Sequence, residues 1–299
     1  MGRPNRKGGA RGSAWAAAAL LLLLAPAAAG AAPKAVLWKR WLAHDPVSVL
    51  RVDHSPWAAF LSKFLTKGPE GINLLAYQAV GPGDARALSA YIARLEAVPV
   101  SRLRRAEQLA FWINLYNALT VRVVLDHLPV DSILEIGISP GWFSIGPWGK
   151  KLASVEGERL SLDDIEHRIL RPIWRDPRIH YAVSCASAGC PNLALVPYTA
   201  GAADAMLTEG SRAYVNHPRG VRITPDGVVV SSIYHWYKAD FGGTDAGVLA
   251  HLKKYVAPGL RKKLEEADGI YDHAYAWSLN LSPGRPASPR PKAPPGGAN

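Results

Sequence analysis

The sequence predicts an α+β fold, a single domain in which a buried central helix packs on a small, mainly antiparallel sheet. A long apolar stretch from Ser101 to His127 has helical periodicity, and a β-hairpin pattern surrounds Asp226-Gly227. Helical and strand patterns do not alternate regularly along the chain, as they do in a doubly wound parallel sheet. With 299 residues, 48% of them hydrophobic, the chain can bury a substantial core.

The helices of the first half are predicted from capping residues and apolar faces. Ser55-Pro56 is typical of an N-cap followed by proline in the first turn, and it predicts a helix through Leu65. Asp84 is predicted to cap the next helix, which has one apolar face. The stretch from Ser101 to His127 is hydrophobic nearly all round at its centre, so it is predicted to be the buried central helix.

The second half contains shorter patterns. Ser161-Leu-Asp-Asp164 resembles a capping box and predicts a short helix that Pro172 stops. Alternation of side chains predicts a strand over Ile179–Ser184. The remaining predicted elements are a hairpin of Val221–Thr224 and Val228–Ser232, a helix near 246–256 and an extended segment Tyr275–Leu279.

Both ends of the chain are predicted to lie outside the folded domain, which we place at residues 45–280. Residues 1–31 combine a basic start, an apolar run and small residues, which is typical of a signal peptide for the general secretory route. We therefore expect a periplasmic or extracellular protein with no membrane span in the mature chain. The alternative is an uncleaved anchor, because Ala14–Ala32 approaches the length of about 20 residues that spans a membrane. Residues 282–299 are rich in Pro and Gly and predict a disordered tail.

The net charge of +11 does not by itself indicate a nucleic-acid partner. Residues 1–33 carry four basic side chains and no acid, and residues 281–299 carry three basic side chains and no acid. The domain between them has an ordinary balance of charges, so we expect no specific nucleic-acid binding. The expected partner is an unidentified substrate or a component of the cell envelope.

Three polar residues lie on the predicted central helix. The seven residues from Glu107 to Asn114 turn a helix by about 700°, which returns to nearly the same face, and Asn117 lies one turn further. Burying such groups without partners costs about 1–3 kcal/mol each, so they are expected to be hydrogen bonded. Either they form a polar network that fixes the helix, or their face lines a cleft and orients a catalytic imidazole.

The segment Ser184–Pro191, which we call the cysteine loop, contains the two cysteines of the chain, Cys185 and Cys190. It follows His180. Cys185 is a candidate nucleophile if a histidine removes its proton. Alternatively the two cysteines form a structural disulfide, which export favours. A zinc site could use both cysteines and His180, but a fourth ligand is not evident. We expect no metal and no cofactor.

Other side chains are weaker candidates. His167 lies beside acidic residues and is expected to be solvated or to cap a helix, while His235 is expected to pack in an aromatic cluster. Trp142, Phe143 and Trp148 lie in a Gly- and Pro-rich segment, where they either roof a pocket or anchor a loop on the core.

Four motifs occur in order along the chain. They are EQLAFWINLYNA from Glu107, SLDDIEHRILR from Ser161, DPRIHYAVSCASAGCP from Asp176 and WSLN from Trp277. Together they resemble the family called domain of unknown function 547 over most of residues 47–280, and the resemblance suggests an exported member of bacterial type. The resemblance does not imply a reaction. It implies that six residues are motif positions of the family: Glu107, Asn114, Asn117, His180, Cys185 and Cys190.

The leading functional hypothesis is an exported cysteine hydrolase or acyl transferase. In it Cys185 is the nucleophile, His180 the general base, and Glu107 or Asn114 orients the histidine. Asn117 and Cys190 contribute to binding, and backbone amides of the cysteine loop stabilise an oxyanion. The alternative is a non-catalytic envelope binding module, in which a disulfide between the two cysteines makes a recognition loop rigid.

Overall fold

The architecture is that of a computed structural model, which describes residues 33–141 and 145–282. The predicted signal peptide lies outside these residues, as do Trp142, Phe143 and residues 283–299 of the predicted tail. Within the described ranges, no helix is both long and apolar enough to cross a membrane.

The described residues contain eight α-helices and seven short strands, which confirms the predicted α+β class. In chain order the elements are α1 (Ser55–Phe64), β1 (Leu65–Lys67), β2 (Asn73–Leu75), α2 (Pro82–Glu96), α3 (Arg105–Asp126), β3 (Ala153–Val155), β4 (Glu158–Leu160), a π-helical segment (Asp164–Leu170), α4 (Arg171–Trp174), a 3-10 helix (Pro177–Tyr181), α5 (Ala203–Val215), β5 (Val221–Thr224), β6 (Gly227–Ser231), α6 (Ser232–Trp236), α7 (Asp245–Leu252), α8 (Pro258–Glu265) and β7 (Ile270–Ala274).

Helix α3 is the predicted buried central helix. Sixteen of its 22 residues are buried, including residues on every side of the helix. It packs against α2, α5 and the π-helical segment, and its side chains belong to the larger of two hydrophobic clusters. Because apolar residues surround this helix, burial on all sides stabilises it more than any single amphipathic face could.

The strands form three small sheets. β1 pairs with β2 and β3 pairs with β4, each antiparallel. The predicted hairpin is confirmed as β5 and β6, and β7 adds to β6 in parallel. This last sheet and helices α6 to α8 enclose the smaller hydrophobic cluster, which includes Tyr181, Tyr214 and Tyr234.

Two predicted helix starts are shifted by the position of a proline. α1 begins at Ser55, one residue after its N-cap His54, because Asp53 Oδ1 accepts the Ser55 N–H at 2.9 Å. α2 begins at Pro82, so Asp84 lies in its first turn instead of capping it. A proline is favourable in the first turn, where its missing N–H has no partner to lose.

The prediction that Pro172 stops its helix is wrong. The capping box at Ser161 is present, since Ser161 Oγ accepts the Asp164 N–H at 3.1 Å. The helix nevertheless continues through Pro172 as the π-helical segment followed by α4. Proline has no N–H for the carbonyl of Arg168, which instead accepts the Trp38 N–H at 3.0 Å. The N-terminal segment thus supplies the donor that the helix lacks.

The predicted strand Ile179–Ser184 is also wrong. Residues Pro177–Tyr181 form a 3-10 helix, and Asp176 Oδ1 caps it by accepting the Arg178 N–H at 2.9 Å. Residues on both faces of the predicted strand are buried, so their alternation carried no information about burial.

Candidate active site

The thiol of Cys185 is half-buried and surrounded by hydrogen-bonding groups. Its Sγ lies 3.0 Å from Ser187 Oγ and 3.1 Å from Tyr275 OH, and Ser187 Oγ donates to Tyr275 OH at 3.0 Å. The backbone N–H of Cys185 donates to Cys190 Sγ at 2.9 Å, and both cysteines are free thiols. The structure therefore brings the two cysteines together without a disulfide between them.

The two cysteines differ in acidity. Burial raises the pKa of Cys185, but hydrogen bonds from Cys190, Ser187 and Tyr275 outweigh it and lower that pKa to about 7. For Cys190, burial and then the contact with Cys185 raise the pKa well above its usual value. Because the thiolate is the reactive form, Cys185 is the better nucleophile of the two.

The loop that carries Cys185 has an unusual backbone. Ala186 has a φ of 63°, in the left-handed region that residues other than glycine rarely adopt. The segment around Ala276 holds this conformation, since the Gly189 N–H donates to Ala276 O at 2.8 Å. A Cβ on Gly189 would lie only 2.7 Å from Ala276 N, so this close approach requires glycine.

Asn117 and Asn114 fix the backbone around the site from helix α3. Asn117 Nδ2 donates to Ala182 O at 2.9 Å, and its Oδ1 accepts the Ser184 N–H at 2.8 Å. Asn114 makes the same paired contact with the backbone of Tyr198, at 2.8 and 3.0 Å. Both amides have the contacts of a polar network that positions backbone, and Asn117 fixes the residue directly before Cys185.

Glu107 lies at the other end of helix α3. Its side chain is buried, and its Oε1 accepts the backbone N–H of Val52 at 2.9 Å. Ten residues separate it from Asn117, which corresponds to about 15 Å along the helix axis. The described contact of Glu107 is therefore with the segment before α1, and it does not bring Glu107 to the thiol.

The contacts of His180 are with carboxylates. Its Nε2 lies 2.7 Å from Asp240 Oδ2 and its Nδ1 lies 3.6 Å from Glu166 Oε1. Burial lowers the pKa of His180, but these two carboxylates raise it above the usual 6.5. The two carboxylates thus favour the protonated imidazole, and each faces one ring nitrogen. Its role as the general base for Cys185 stays a prediction.

Arg171 joins His180, Asp240, Glu166 and His167 in a group of ionisable side chains that we call the charge cluster. Its Nε donates to Asp240 Oδ2 at 2.6 Å, and its Nη1 donates to His167 Nδ1 at 2.9 Å. His167 is buried, contrary to the expectation that it is solvated, and burial lowers its pKa to about 4. Burial raises the pKa of Glu166, yet its histidine and arginine neighbours lower it to about 2. The cluster therefore holds charged carboxylates inside the protein.

Tyr237 packs against members of the charge cluster. Its ring stacks on His180 at 4.3 Å between ring centroids, and the Arg171 guanidinium lies 4.7 Å from the same ring. Burial raises the pKa of the Tyr237 hydroxyl, and the negative charges of Glu166 and Cys185 raise it further.

An aromatic surface lies beside Tyr275. Trp277 packs against Tyr275 at 4.6 Å and against Trp236 at 5.5 Å between ring centroids, and Trp148 packs on the far side at 6.0 Å. Trp236, Tyr275 and Trp277 are all half-buried. His235 does not join this surface, since it is exposed and stacks on His273.

Sequence reasoning missed several residues of the site. Glu166 and Arg171 flank His167 in one of the four motifs, and Ser187 lies between the cysteines, so local patterns could have indicated them. Asp240, Tyr237 and Tyr275 follow no such pattern and become visible only in the fold. Among residues 33–141 and 145–282, no group of three or more His, Cys, Asp or Glu side chains is placed to hold a metal ion.

Comparison with known proteins gives a family for part of the chain. Comparisons with curated proteins and with solved structures found no match. Residues 100–215 match the model of the family described as "Protein of unknown function, DUF547". The match covers helix α3, the charge cluster up to His180 and the cysteine loop, but not Asp240 or Tyr275. Residues 100–215 are therefore a DUF547 family domain.

Proposed function

We propose that the protein is a thiol-dependent hydrolase or acyl transferase with Cys185 as its nucleophile. The observation that carries the proposal is a free, half-buried thiol whose sulfur meets Ser187 Oγ and Tyr275 OH within 3.1 Å. Donors that stabilise the thiolate make a cysteine reactive near neutral pH. The strained φ of Ala186 beside it supports the same proposal, because strain of this kind clusters at active sites.

The proposed reaction has two steps. The Cys185 thiolate forms a bond to the acyl carbon of the substrate, the bond from that carbon to the leaving group breaks, and the leaving group takes a proton from water. Water or another nucleophile then attacks the thioester, gives up a proton and releases Cys185.

Donors for the oxyanion differ from the expected loop amides. The N–H groups of Ala188, Gly189 and Cys190 already donate to carbonyl oxygens. The hydroxyls of Tyr275 and Ser187 lie next to the sulfur, so we propose that they stabilise the oxyanion.

In this proposal His180 positions other groups and does not remove the proton of the thiol. Its ring nitrogens are engaged by Asp240 and Glu166, and its ring supports Tyr237. Cys185 needs no separate base for its own proton, because its pKa of about 7 already gives a substantial fraction of thiolate at neutral pH.

The test measures alkylation rate against pH for the wild type and three variants. Cys185→Ser should fold and lose labelling near pH 7, while Cys190→Ser should retain it. His180→Ala should change the labelling rate of Cys185 by less than about tenfold, which is one unit of pKa. Slow labelling of wild-type Cys185, with a pKa near the ordinary value of about 8.5, would refute the proposal.

The second candidate is a non-catalytic envelope binding module with a Cys185–Cys190 disulfide. Its support is the contact of 2.9 Å between Cys185 N–H and Cys190 Sγ, together with the predicted export of the chain. Intact mass of envelope-derived protein, alkylated without a reductant, decides between the two. No added label indicates the disulfide module, and then both single Cys→Ser variants should lose about 2 kcal/mol of stability.

A further inference from the structure

The loop Pro46–Arg51 exposes apolar side chains to solvent and buries a polar one. Val47 and Val49 are 83% and 84% exposed, whereas Ser48 between them is 8% exposed. Leu50 is also exposed. Folding normally buries valine and leaves serine in water, so this arrangement costs stability unless something covers the valines. We call Val47–Leu50 the apolar tip.

Hydrogen bonds hold the apolar tip in place. Asp45 Oδ1 accepts the Val47 N–H at 3.0 Å, and Ser48 Oγ accepts the Leu50 N–H at 3.2 Å. The loop is tied to the start of helix α3 at both ends. On one side the Asp45 N–H donates to Leu103 O at 3.0 Å, and on the other the Val52 N–H donates to Glu107 at 2.9 Å. The buried Glu107 therefore fixes a loop that presents apolar side chains to solvent.

Exposed apolar side chains are concentrated in this part of the chain. Of the ten large hydrophobic residues that are exposed in the described residues, six lie between residues 36 and 50. They are Val36, Leu37, Leu42, Val47, Val49 and Leu50. Val47, Val49 and Leu50 among them lie in one loop, whereas exposed apolar residues scattered singly are normal.

Arginines outnumber carboxylates slightly around the apolar tip. Arg51 is the next residue and is exposed, and Arg102 and Arg104 flank the Leu103 carbonyl that holds the loop. Arg105 is close as well, since its Nη2 donates to Leu42 O at 2.7 Å. The nearby carboxylates are engaged by backbone N–H groups: Asp45 by Val47, Asp53 by Ser55 and Glu107 by Val52.

We propose that the apolar tip docks on a bilayer that contains anionic phospholipid. Val47, Val49 and Leu50 enter the boundary between headgroups and acyl chains, and the arginines around them contact lipid phosphates. Apolar side chains and basic neighbours together supply the two signals that membrane anchoring needs, whereas a stable protein interface needs about 800 Å² from each partner.

The test is flotation with lipid vesicles of the mature chain from residue 32, because the apolar run Ala14–Ala32 would itself bind lipid. The protein is mixed with vesicles of phosphatidylcholine alone or with added phosphatidylglycerol. The double variant Val47→Asp/Val49→Asp is compared with Leu195→Asp/Val196→Asp, which changes two exposed apolar residues elsewhere. We expect the first variant to bind phosphatidylglycerol vesicles at least about tenfold more weakly than wild type, since two valines no longer leave water. The control variant should bind as wild type does.

Two results would overturn the proposal. Equal flotation of wild type and Val47→Asp/Val49→Asp, both without residues 1–31, would show that the apolar tip does not bind lipid. Equal binding to vesicles without phosphatidylglycerol would show that the surface is not selective for anionic lipid. Alkylation of Cys185 in each variant confirms that the fold is intact, and it leaves the proposed thiol chemistry to its own test.

Discussion

At the scale of single residues, His180 is the group on which the buried charge cluster depends. Its imidazole lies between Asp240 and Glu166, so a positive charge on the ring offsets both carboxylates. Burial alone raises the pKa of Asp240, but His180 and Arg171 hold it below its usual value. The protonated form of His180 therefore stabilises the folded state.

We predict that His180→Gln destabilises the protein by about 3–5 kcal/mol at about pH 6, the typical cost of breaking a buried ion pair. The folded-state pKa of His180 lies above 6.5, its unfolded value. The stabilisation is therefore fully present below pH 6.5 and is lost as the pH rises through the folded-state pKa. Urea unfolding at about pH 6 and pH 9 should show a smaller loss at the higher pH.

The control for this prediction is His235→Gln, at an exposed histidine. It should have little effect at either pH. If His180→Gln costs the same free energy of unfolding at both values, the charge of His180 contributes nothing to stability and the raised pKa is wrong.

At the scale of elements, the cysteine loop and the segment of residues 275–280 form one unit. Ser187 pairs with Leu279, and the Asn280 N–H donates to Ala186 O at 2.9 Å. Asn280 is itself anchored in the core, where its Oδ1 accepts the hydroxyl of Tyr77 at 3.0 Å. The segment that contains Tyr275 thus sets the conformation of the loop that contains the nucleophile.

We predict that Gly189→Ala separates these two segments. The new Cβ would lie 2.7 Å from Ala276 N and 2.8 Å from Ala276 O, both backbone atoms that have no flexible end to move. We expect a loss of about 1–3 kcal/mol in urea unfolding, which is typical of overpacking. Alkylation of Cys185 near pH 7 should also slow, because Tyr275 moves away from the sulfur.

Gly201→Ala is the matched control, since a Cβ there meets no atom within 4 Å. It should leave both stability and alkylation unchanged. A Gly189→Ala protein as stable and as reactive as the control would show that the close approach to Ala276 does not set the loop.

The elements also show what the sequence could predict. Helix α3 and the β5–β6 hairpin follow from local patterns, an apolar stretch of helical period and a turn dipeptide. The predicted strand Ile179–Ser184 was wrong because every residue there is buried, so the alternation of side chains did not separate a buried face from an exposed face. The predicted helix end at Pro172 was wrong because Trp38, more than 130 residues earlier in the chain, supplies the N–H that proline lacks.

At the scale of the whole molecule, the candidate site forms where distant parts of the chain meet. Tyr275 lies 90 residues after Cys185, and Asp240 lies 60 residues after His180. Residue types and spacing indicated the cysteines and His180, but partners at such separations leave no local signal. The residues that match the DUF547 model, 100–215, therefore do not include Asp240 and Tyr275 of the candidate site.

The N-terminal segment takes part in the same assembly. Pro33 O accepts a hydrogen bond from Arg171 Nη1 at 2.7 Å, which joins the segment to the charge cluster. The Val36 N–H donates to His167 O at 2.9 Å, next to the contact of Trp38 with the same helix. Loss of these residues would leave Arg171 and two buried carbonyl groups with fewer partners, at about 1–3 kcal/mol for each unpaired group.

We predict that protein recovered from the cell envelope begins between residues 28 and 34. Small residues that suit a signal peptidase are concentrated there, and cleavage in this range keeps the contacts of Val36 and Trp38. N-terminal sequencing and intact mass check the start. A start at Met1 or Gly2 would instead favour the uncleaved anchor. A start beyond Trp38 would contradict the structural argument, because the helix through Pro172 would then lose the donor that the N-terminal segment provides.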